Sequence, residues 1–554
     1  MKIFKLFPLA CAALMMSACS SDDGNGSENP NIASEAQYLA VNIVNVGTTP
    51  TRAAVPGYEN GTAEESEIKK IRFYFFHADG SAYKLEGPTP GSVENYLEKE
   101  IKPADMGTAD GTGTVGAITK AILVINGTTK KAPASVIAVV NPQSLTSLGT
   151  DAKTLNELTN TLTGSQFYTV ATKDQFVMTN SVYVEAGRTV CPVTVAGHIG
   201  TDATTAEANA IDIYAERVVA KVGADFQSEG SKLEANTAGT SKYGMKVGTY
   251  GASTDIYAVI DGWGVADEND NAYVEKHITN SWTDTGLGIT TWTTSDYHRS
   301  FWGTSPAFAA GSPTNHKFVD YKAQHGDVLY TLPNTPTTAV AAADVYKNDL
   351  TKFLVTATLR YQDATGTWQN AEICKYQGVE YLGINALKEA IATTYNMYFT
   401  KDGGDYTPIQ AGDVTFKTVA AGTTGVEDYQ VVPVLNDTKT YYKKDASSAT
   451  GYTALTASDN ISKYPAEVRT DGKVYYFIPI SHLATDAAKV GYYGVVRNHW
   501  YKVNVKSLKG FGTTVYDEKK IIDPTIPEDQ ATYLAAKINV LQWRVVSQDV
   551  NLGK

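Results

Sequence analysis

The stretch "YLAVNIVNVGTTPTRAAVPGYENG" (residues 38–61) places an alternating apolar segment directly before a lone basic residue. Leu39, Val41 and Ile43 share one face of this segment, as expected of a half-buried β-strand. Arg52, the first arginine of the chain, follows within sequence that carries Gly and Pro and is typical of an exposed loop. A protease can reach an arginine in such a loop. We therefore predict that the chain is cut after Arg52 and that the strand is removed from the mature protein.

The first 19 residues have the pattern of a secretory signal, with two lysines, an apolar centre and small residues at the end. The ending Met-Ser-Ala-Cys resembles a bacterial lipobox, in which the cysteine, here Cys19, is acylated and becomes the new N-terminus. The alternative is an ordinary signal peptide whose cleavage site lies beside a cysteine. We expect a lipoprotein signal over residues 1–19 and a propeptide over residues 20–52, which begins with an acidic tether.

The composition of the 554 residues limits the possible partners and the sources of stability. A formal net charge of −12 argues against nucleic acid and anionic lipid as ligands. Beyond the signal, no segment approaches the roughly 18 apolar residues of a membrane helix, so we expect a soluble mature chain. Outside the signal only Cys191 and Cys374 remain, and we expect both to be buried apolar residues rather than a disulfide or a metal site.

Short strand-like runs separated by turns dominate the body of the chain. Many strands and few helices predict an all-β fold of two antiparallel β-sandwiches in tandem. We place the domains at residues 53–214 and 215–522. The runs 121–127 and 135–142 are expected to be buried on both faces, helices are expected at 153–162 and 384–395, and long polar insertions at 279–313 and 401–470.

A proline-marked linker begins at residue 523 and is followed by another alternating segment, so we predict a linker and a C-terminal strand segment over residues 523–554. An apolar strand on a linker must find a sheet edge, either of its own domain or of a neighbour. Its phase shifts along the chain, which indicates two pieces separated by a bulge or kink. The candidate anchor residues are Ile538, Val540, Leu541, Trp543, Val545, Val550 and Leu552.

Patterns of enzymatic or cofactor chemistry are weak throughout the sequence. The histidines lack metal-ligand spacing, and "GTGTVG" (residues 111–116) has no strand before it and no helix after it. The segment 267–278 lacks both the turn glycine and the final glutamate of a calcium loop. We therefore expect no cofactor, no metal and no enzymatic activity. A carbohydrate-active enzyme with scattered carboxylates is the least favoured alternative.

Several motifs spread over the chain resemble those of one family. They are "AERVVAKV" (residues 215–222), "LPNT" (332–335), "VVRNHWYKVNVKSLKGFG" (495–512) and "DQATYLAAKINVLQWRVVSQDVNL" (529–552), together with the lipobox and Arg52. In this order they resemble the fimbrillins of Bacteroidales, or type V pilins, and most closely the shaft subunits of the short fimbriae of Porphyromonas-type bacteria. The linker before the last motif is shorter than the long proline-rich linker that the short-fimbria type can carry.

The resemblance implies transthyretin-like sandwiches and a surface fimbria built from copies of the chain. The precursor would be an outer-membrane lipoprotein, handled by the lipoprotein processing and export machinery and cut between Arg52 and Ala53 by an arginine-specific, gingipain-like protease. Loss of the strand bearing Leu39, Val41 and Ile43 would leave a groove in the N-terminal sandwich. The C-terminal segment of a neighbour would fill it by donor-strand exchange and so extend a filament.

The resemblance also implies accessory and anchor subunits as partners, and receptors on host or bacterial surfaces. An accessory, tip or anchor adhesin is the first alternative to a shaft subunit. A surface β-sandwich lipoprotein that binds glycan or protein without polymerising is the second, and in it Arg52 is an ordinary solvated arginine and the terminal segment an edge strand of its own domain.

Overall fold

β-Strands make up most of the secondary structure that the computed structural model describes, with three short helices among the described residues. The described residues are 37–45, 62, 64–85, 94–102, 119–125, 132–163, 176–185, 188–226, 232–235, 241–278, 302–341, 344–345, 349–420, 422–482, 488–524, 533–541 and 546–548. The expected all-β class is confirmed. No helix within these ranges is long and apolar enough to cross a bilayer.

The strands up to the middle of the chain come first in the numbering. They are β1 Gln37–Asn45, β2 Lys70–Phe76, β3 Tyr96–Glu100, β4 Thr119–Ile125, β5 Ser135–Val140, β6 Leu162–Thr163, β7 Met178–Asn180, β8 Tyr183–Glu185, β9 Arg188–Val190, β10 Val193–Thr194, β11 Ile199–Gly200, β12 Ile211–Arg217, β13 Ala220–Phe226, β14 Lys232–Ala235, β15 Ser241–Tyr250, β16 Thr254–Ala266 and β17 Ala272–Tyr273.

The remaining strands and the helices follow. They are β18 Val328–Thr331, β19 Lys352–Gln362, β20 Trp368–Asn370, β21 Ile373–Tyr376, β22 Val379–Leu382, β23 Tyr398–Asp402, β24 Asp405–Pro408, β25 Val414–Thr418, β26 Val431–Leu435, β27 Tyr441–Lys444, β28 Tyr452–Ala454, β29 Ala466–Val468, β30 Lys473–Pro479, β31 Trp500–Lys509, β32 Thr513–Thr514, β33 Tyr533–Leu541 and β34 Val546–Gln548, with α1 Leu155–Thr159, α2 Ala203–Ala208 and α3 Ile384–Thr394.

The N-terminal sheet has the order β11-β1-β12-β7-β5-β2-β3, with β4 paired to β1 and β10 paired to β5. β5 lies inside the sheet, and Val136 to Val140 are fully buried on both faces, as the sequence predicts. β4 differs from the prediction, because Val124 is exposed while Leu123 and Ile125 are buried. Among the described strands β4 pairs with β1 alone, so it lies at an edge where one face meets solvent.

The C-terminal part contains a sheet of order β18-β13-β31-β33-β34 and a second sheet of order β14-β15-β16-β19-β30-β32. Side chains of both sheets form one apolar core, which includes Val222 and Val503 from the first sheet and Trp263 and Val355 from the second. This arrangement is a β-sandwich. Within β16 the register shifts beside Gly262, where a Cβ atom would lie 2.1 Å from the carbonyl oxygen of Tyr321, so only glycine fits there.

At this point of the chain the apolar residues change core, because Val219 belongs to the first core and Ala220 to the second. Ala272, Val274 and Leu332, later in the chain, also pack in the first core. β12, which crosses the predicted domain boundary at residues 214 and 215, belongs to the N-terminal sheet throughout its length. The chain passes from β12 to β13 through two residues. The domain bounds given above stay predictions.

Residues 373–468 form a lobe with its own core, where the sequence indicates a polar insertion over 401–470. The lobe contains one sheet of order β22-β21-β29-β26-β25 and another of order β24-β23-β27-β28. Its core includes Leu387 and Ile391 of α3, both fully buried, which agrees with the predicted helix. The lobe was missed because its strands are short and carry many Tyr, Thr and Lys residues, which gives only a weak apolar alternation.

The helix predicted at 153–162 is shorter in the structure. α1 begins after Thr154, whose hydroxyl accepts a hydrogen bond from the Glu157 N–H at 3.1 Å, and the Glu157 carboxylate accepts one from the Thr154 N–H at 2.7 Å. This capping box fixes the start of the helix. Leu158 is buried as expected, but Leu162 lies in β6 and is exposed.

Candidate functional site

β1, the strand that is predicted to be removed by proteolysis, is an integral strand of the N-terminal sheet. It runs antiparallel to β4, from Gln37 opposite Ile125 to Ile43 opposite Thr119. Its other edge pairs with β11 and then, in parallel, with β12, where Val41 lies opposite Ile211. Both edges of β1 therefore contribute to the backbone hydrogen-bond ladder.

The described side chains at the centre of β1 are buried. Leu39 and Val41 belong to the N-terminal core, and Ala40 on the opposite face is also buried. Burial of a Leu or Val side chain contributes about 1.5–3 kcal/mol to stability. For Ile43 the backbone pairing with Ile213 is described, and its side chain lies outside the described residues.

Removal of β1 would separate β4 from β12, because β1 pairs with both strands. The two freed edges would present unpaired N–H and C=O groups beside an emptied apolar slot. Unpaired buried backbone groups are costly, and free edges bind other strands. The geometry is therefore that of a groove for one extended segment.

The C-terminal segment is a strand pair on the subunit's own sandwich. β33 runs antiparallel to β31, with Ile538 opposite Val503 and Leu541 opposite Trp500, and β34 pairs with β33. The segment thus forms two strands, in line with the two pieces predicted from its phase shifts. Its position on β31 matches the alternative of an edge strand of its own domain.

The other predicted site residues lie outside the described residues. These are Cys19, Arg52 and Ala53 near the N-terminus, and Trp543, Val545, Val550 and Leu552 near the C-terminus. For Val540 the structure describes the backbone, which lies opposite Tyr501. The roles of all these residues stay predictions. Both body cysteines, Cys191 and Cys374, are free and buried as expected.

A buried ion cluster connects the end of β12 with the start of β31. The Glu216 carboxylate accepts a hydrogen bond from the Lys276 Nζ at 2.9 Å and forms an ion pair with the Arg497 Nε at 3.1 Å. Arg497 also donates to the Thr179 hydroxyl at 2.7 Å. All three charged side chains are at most 5% exposed. Buried charges at this depth are tolerated when they are paired.

A second cluster joins the first described residues after the predicted cut to both sandwiches. The Glu65 carboxylate forms an ion pair with Lys221 of β13 at 2.7 Å and accepts a hydrogen bond from the Tyr330 hydroxyl. Arg217 donates to the Glu65 carbonyl oxygen at 2.6 Å and to the Asn498 side chain at 3.2 Å. Burial lowers the pKa of Arg217 to about 10.

We call the two ion clusters together the junction. The junction was not predicted from the sequence, although its residues lie in the quoted motifs. Glu216, Arg217 and Lys221 fall within residues 215–222, and Arg497 and Asn498 within 495–512. The available signal was the presence of charges inside otherwise apolar strand runs. Such charges are rarely buried unless they are paired, but their partners cannot be identified from one sequence.

The junction connects the two candidate assembly elements. β12 pairs with β1, and two residues beyond β12 the chain enters β13, which runs parallel to β31. β31 in turn pairs with β33. The position of β1 and the C-terminal strand are therefore linked through consecutive paired strands and the two ion clusters. Across the described ranges, no group of three His, Cys, Asp or Glu residues could hold a metal ion.

Residues 469–549 match the sequence model of the C-terminal part of fimbrillin, the type IV major fimbrial subunit protein. This segment runs from the end of the lobe through β30 to the C-terminal strands and contains Arg497 and Asn498. This segment of the chain is therefore similar to the C-terminal part of fimbrillin. No curated protein matches the sequence.

Solved structures that resemble the chain share little sequence with it. One is a fimbrilin from Porphyromonas gingivalis W83, with 14% identity, a TM-score of 0.35 and coverage of 92% of this chain and 98% of that one. Another is a tip fimbrial protein from Porphyromonas gingivalis with a C-terminal truncation, with 12% identity, a TM-score of 0.30 and coverage of 91% and 98%. A fimbrial assembly protein from Parabacteroides distasonis has 13% identity, a TM-score of 0.28 and coverage of 60% and 85%.

The Arg497→Ala substitution should strongly destabilise the protein, because it leaves Glu216 buried with one of its two cationic partners gone. Breaking a buried ion pair typically costs about 3–5 kcal/mol. The matched control is Lys246→Ala, which removes an exposed ion pair to Asp255 and should cost at most about 1 kcal/mol. Urea unfolding of both variants measures the difference, and equal losses would contradict the assigned role of the junction.

Glu275 should make the stability of the junction depend on pH. Burial raises the pKa of its carboxyl from 4.5 to about 8, although the Arg497 charge opposes the shift. Between these values the group is protonated in the folded protein and ionised in the unfolded chain. The contribution of Glu275 to stability should therefore be most favourable below pH 4.5 and become less favourable as the pH rises towards about 8.

The Glu275→Gln variant should lose this part of the pH dependence, because the amide does not titrate. The free energy of unfolding, measured at a series of pH values for both proteins, gives the comparison. Identical pH profiles for the two proteins would show that Glu275 titrates normally.

Proposed function

We propose that this fimbrial protein is a shaft subunit that polymerises by protease-triggered donor-strand exchange. The observation that carries the proposal is the position of β1, which pairs with β4 on one edge and β12 on the other. A strand so placed can be removed only by opening the sheet. The predicted cut after Arg52 would separate it from the rest of the subunit, which continues through Glu65 into the junction.

The C-terminal segment is the proposed donor. β33 and β34 are the last two strands at one end of the sheet β18-β13-β31-β33-β34. These two strands could leave the sheet while β18, β13 and β31 keep their order. A strand that moves from its own sheet edge to a neighbour's groove exchanges one ladder of hydrogen bonds for another. The exchange gains free energy because the neighbour's groove is apolar and offers two strand edges for pairing, whereas β31 offers a single edge.

Repetition of this contact between copies would give an open filament, because the groove and the donor are different surfaces. The partners in this proposal are other copies of the chain, accessory and anchor subunits, an arginine-specific protease of gingipain type, the lipoprotein processing and export machinery, and surface receptors. The precursor would be an outer-membrane lipoprotein acylated on Cys19. The mature form would lie in fimbriae at the cell surface and mediate adhesion.

One observation favours a second candidate function. β33 pairs with β31 along its whole length in the single subunit, as an integral edge strand would. A tip or anchor adhesin, or a surface lipoprotein that binds its ligand without polymerising, needs no free donor. In that case the C-terminal strands would serve only the stability of their own sandwich.

Arg52→Ala should yield a folded precursor that stays monomeric, because β1 remains in the sheet. As a matched control, residues 49–52 are replaced by the recognition sequence of an unrelated protease, so that assembly depends on adding that protease. Electrophoresis without boiling and electron microscopy report the polymers. Normal filaments from Arg52→Ala, or none from the cleaved control, would contradict the proposal.

Polar substitutions at Leu541, Trp543 and Val545 should weaken assembly in a graded way, because each apolar anchor contributes about 1.5–3 kcal/mol when buried. Gln542→Ser and Arg544→Ser on the opposite face serve as controls and should have smaller effects. Deletion of residues 538–554 should abolish filaments while Arg52 stays cleavable. Abundant filaments from the deleted chain would exclude the segment as donor, and an unfolded sandwich would favour the integral edge strand.

A further inference from the structure

Lys352 and Asp267 form a buried pair in the C-terminal sandwich. The Nζ of Lys352 contacts the Oδ2 of Asp267, and the side chains are 1% and 3% exposed. Lys352 is the first residue of β19 and lies opposite Ala266, the last residue of β16. Asp267 is therefore the residue directly beyond the end of the paired strands.

One side of this pair is apolar. Side chains of an adjoining small core, among them Phe318, Leu354 and Phe477, are buried next to the two strand ends. The Phe477 ring lies 6.0 Å from the Lys352 Nζ. Two opposite charges in such a place lose most of their hydration and are held against each other in close contact.

The Asp267 carboxyl is held in one orientation. The residue has a φ of 51°, in the left-handed region that non-glycine residues rarely adopt. Its N–H donates to the Asn315 side-chain oxygen at 2.8 Å, and the Asn315 amide donates to Oδ1 at 2.7 Å. Oδ1 is thus polarised by a hydrogen-bond donor, while Oδ2 faces the amine. A functional need to hold the Asp267 carboxyl against Lys352 would explain why Asp267 keeps this strained backbone conformation.

We propose that Lys352 and Asp267 condense to an intramolecular isopeptide bond in the folded protein. Proton transfer within the ion pair gives the amine and the carboxylic acid. The lone pair of Nζ attacks Cγ of Asp267, and an N–C bond forms. The charge that develops on Oδ1 is stabilised by the Asn315 amide. The bond from Cγ to Oδ2 then breaks, Oδ2 leaves with two protons as water, and one proton stays on the amide nitrogen.

Two further carboxyl groups interact electrostatically with the pair. Partial burial and repulsion from the Asp267 carboxylate raise the pKa of both Asp349 and Asp523. Both residues also reach solvent. The fold holds the reacting atoms together, which replaces the entropy loss of a reaction between separate molecules. The apolar core then protects the amide from water.

The cross-link would close a loop of 85 residues between β16 and β19. It would also lie beside Asp523, where the chain leaves the sandwich towards the C-terminal strands. The proposal goes beyond the assembly function and does not depend on it, because the bond would form in the uncut monomer. The two tests are therefore independent: the isopeptide bond can be absent in a protein that polymerises, and present in a protein that does not.

Peptide mapping of the purified, uncut full-length protein tests the bond. After denaturation and digestion we expect one branched peptide containing residues 267 and 352, lighter than its two linear parts by one water molecule. Trypsin should not cut after the acylated Lys352. The Lys352→Met variant should lose the branched peptide and give a linear peptide containing Asp267. Recovery of Asp267 and Lys352 in separate linear peptides from the folded protein would overturn the proposal.

The pair of Lys276 and Glu216 serves as an internal control in the same digest. It is equally buried, with 2.9 Å between Nζ and Oε1, but Glu216 is also bound by Arg497. We expect these two residues in linear peptides. A branched peptide here as well would show that burial and contact alone cause condensation, and would overturn the roles assigned to Asn315 and the strained Asp267. If Lys352→Met fails to fold, the map of the unsubstituted protein decides alone.

Discussion

The pairing of β1 with β4 on one edge and β12 on the other is the constraint on which the N-terminal sandwich depends. β4 has no other partner among the described strands, so its place in the sheet requires that β1 or a substitute be present. The same strand supplies Leu39 and Val41 to the core. A sheet built in this way is complete only while the position of β1 is filled. The proposed exchange between subunits uses this requirement, since an incoming strand restores both the ladder and the core.

The sequence predicts the all-β class, β1, the buried β5 and helix α3 correctly, because each has a clear apolar period. It fails where burial depends on neighbours along the sheet. β4 looks like a doubly buried strand in sequence, but the sheet order places it at an edge. The lobe is not predicted because its strands are short and rich in tyrosine, which gives only a weak apolar alternation. For the assembly site, the alternation in residues 38–46 identifies the strand, and no local pattern reveals that β12 is its parallel partner.

The buried charges between the sandwiches show a second limit of sequence reasoning. Glu216 and Arg497 are 281 residues apart, and Glu65 lies in a short 3-10 turn before β2 whereas Lys221 lies in β13. Each contact depends on the complete tertiary structure, so a single sequence shows only charges in unusual places. Because leaving one of these buried charges unpaired is costly, the clusters favour the one arrangement of side chains in which every charge has its partner.

The lobe of residues 373–468 leaves and rejoins the C-terminal sandwich at neighbouring points. The chain enters it after β20, which pairs with β19, and returns into β30, which pairs with the same strand. The lobe has its own core and contributes no strand to the sheets that contain β1, β31 or β33. An insertion whose ends are adjacent can change in length and sequence at little entropic cost to the host domain. This arrangement separates a region that can vary in length and sequence from the strands that hold the two sandwiches together.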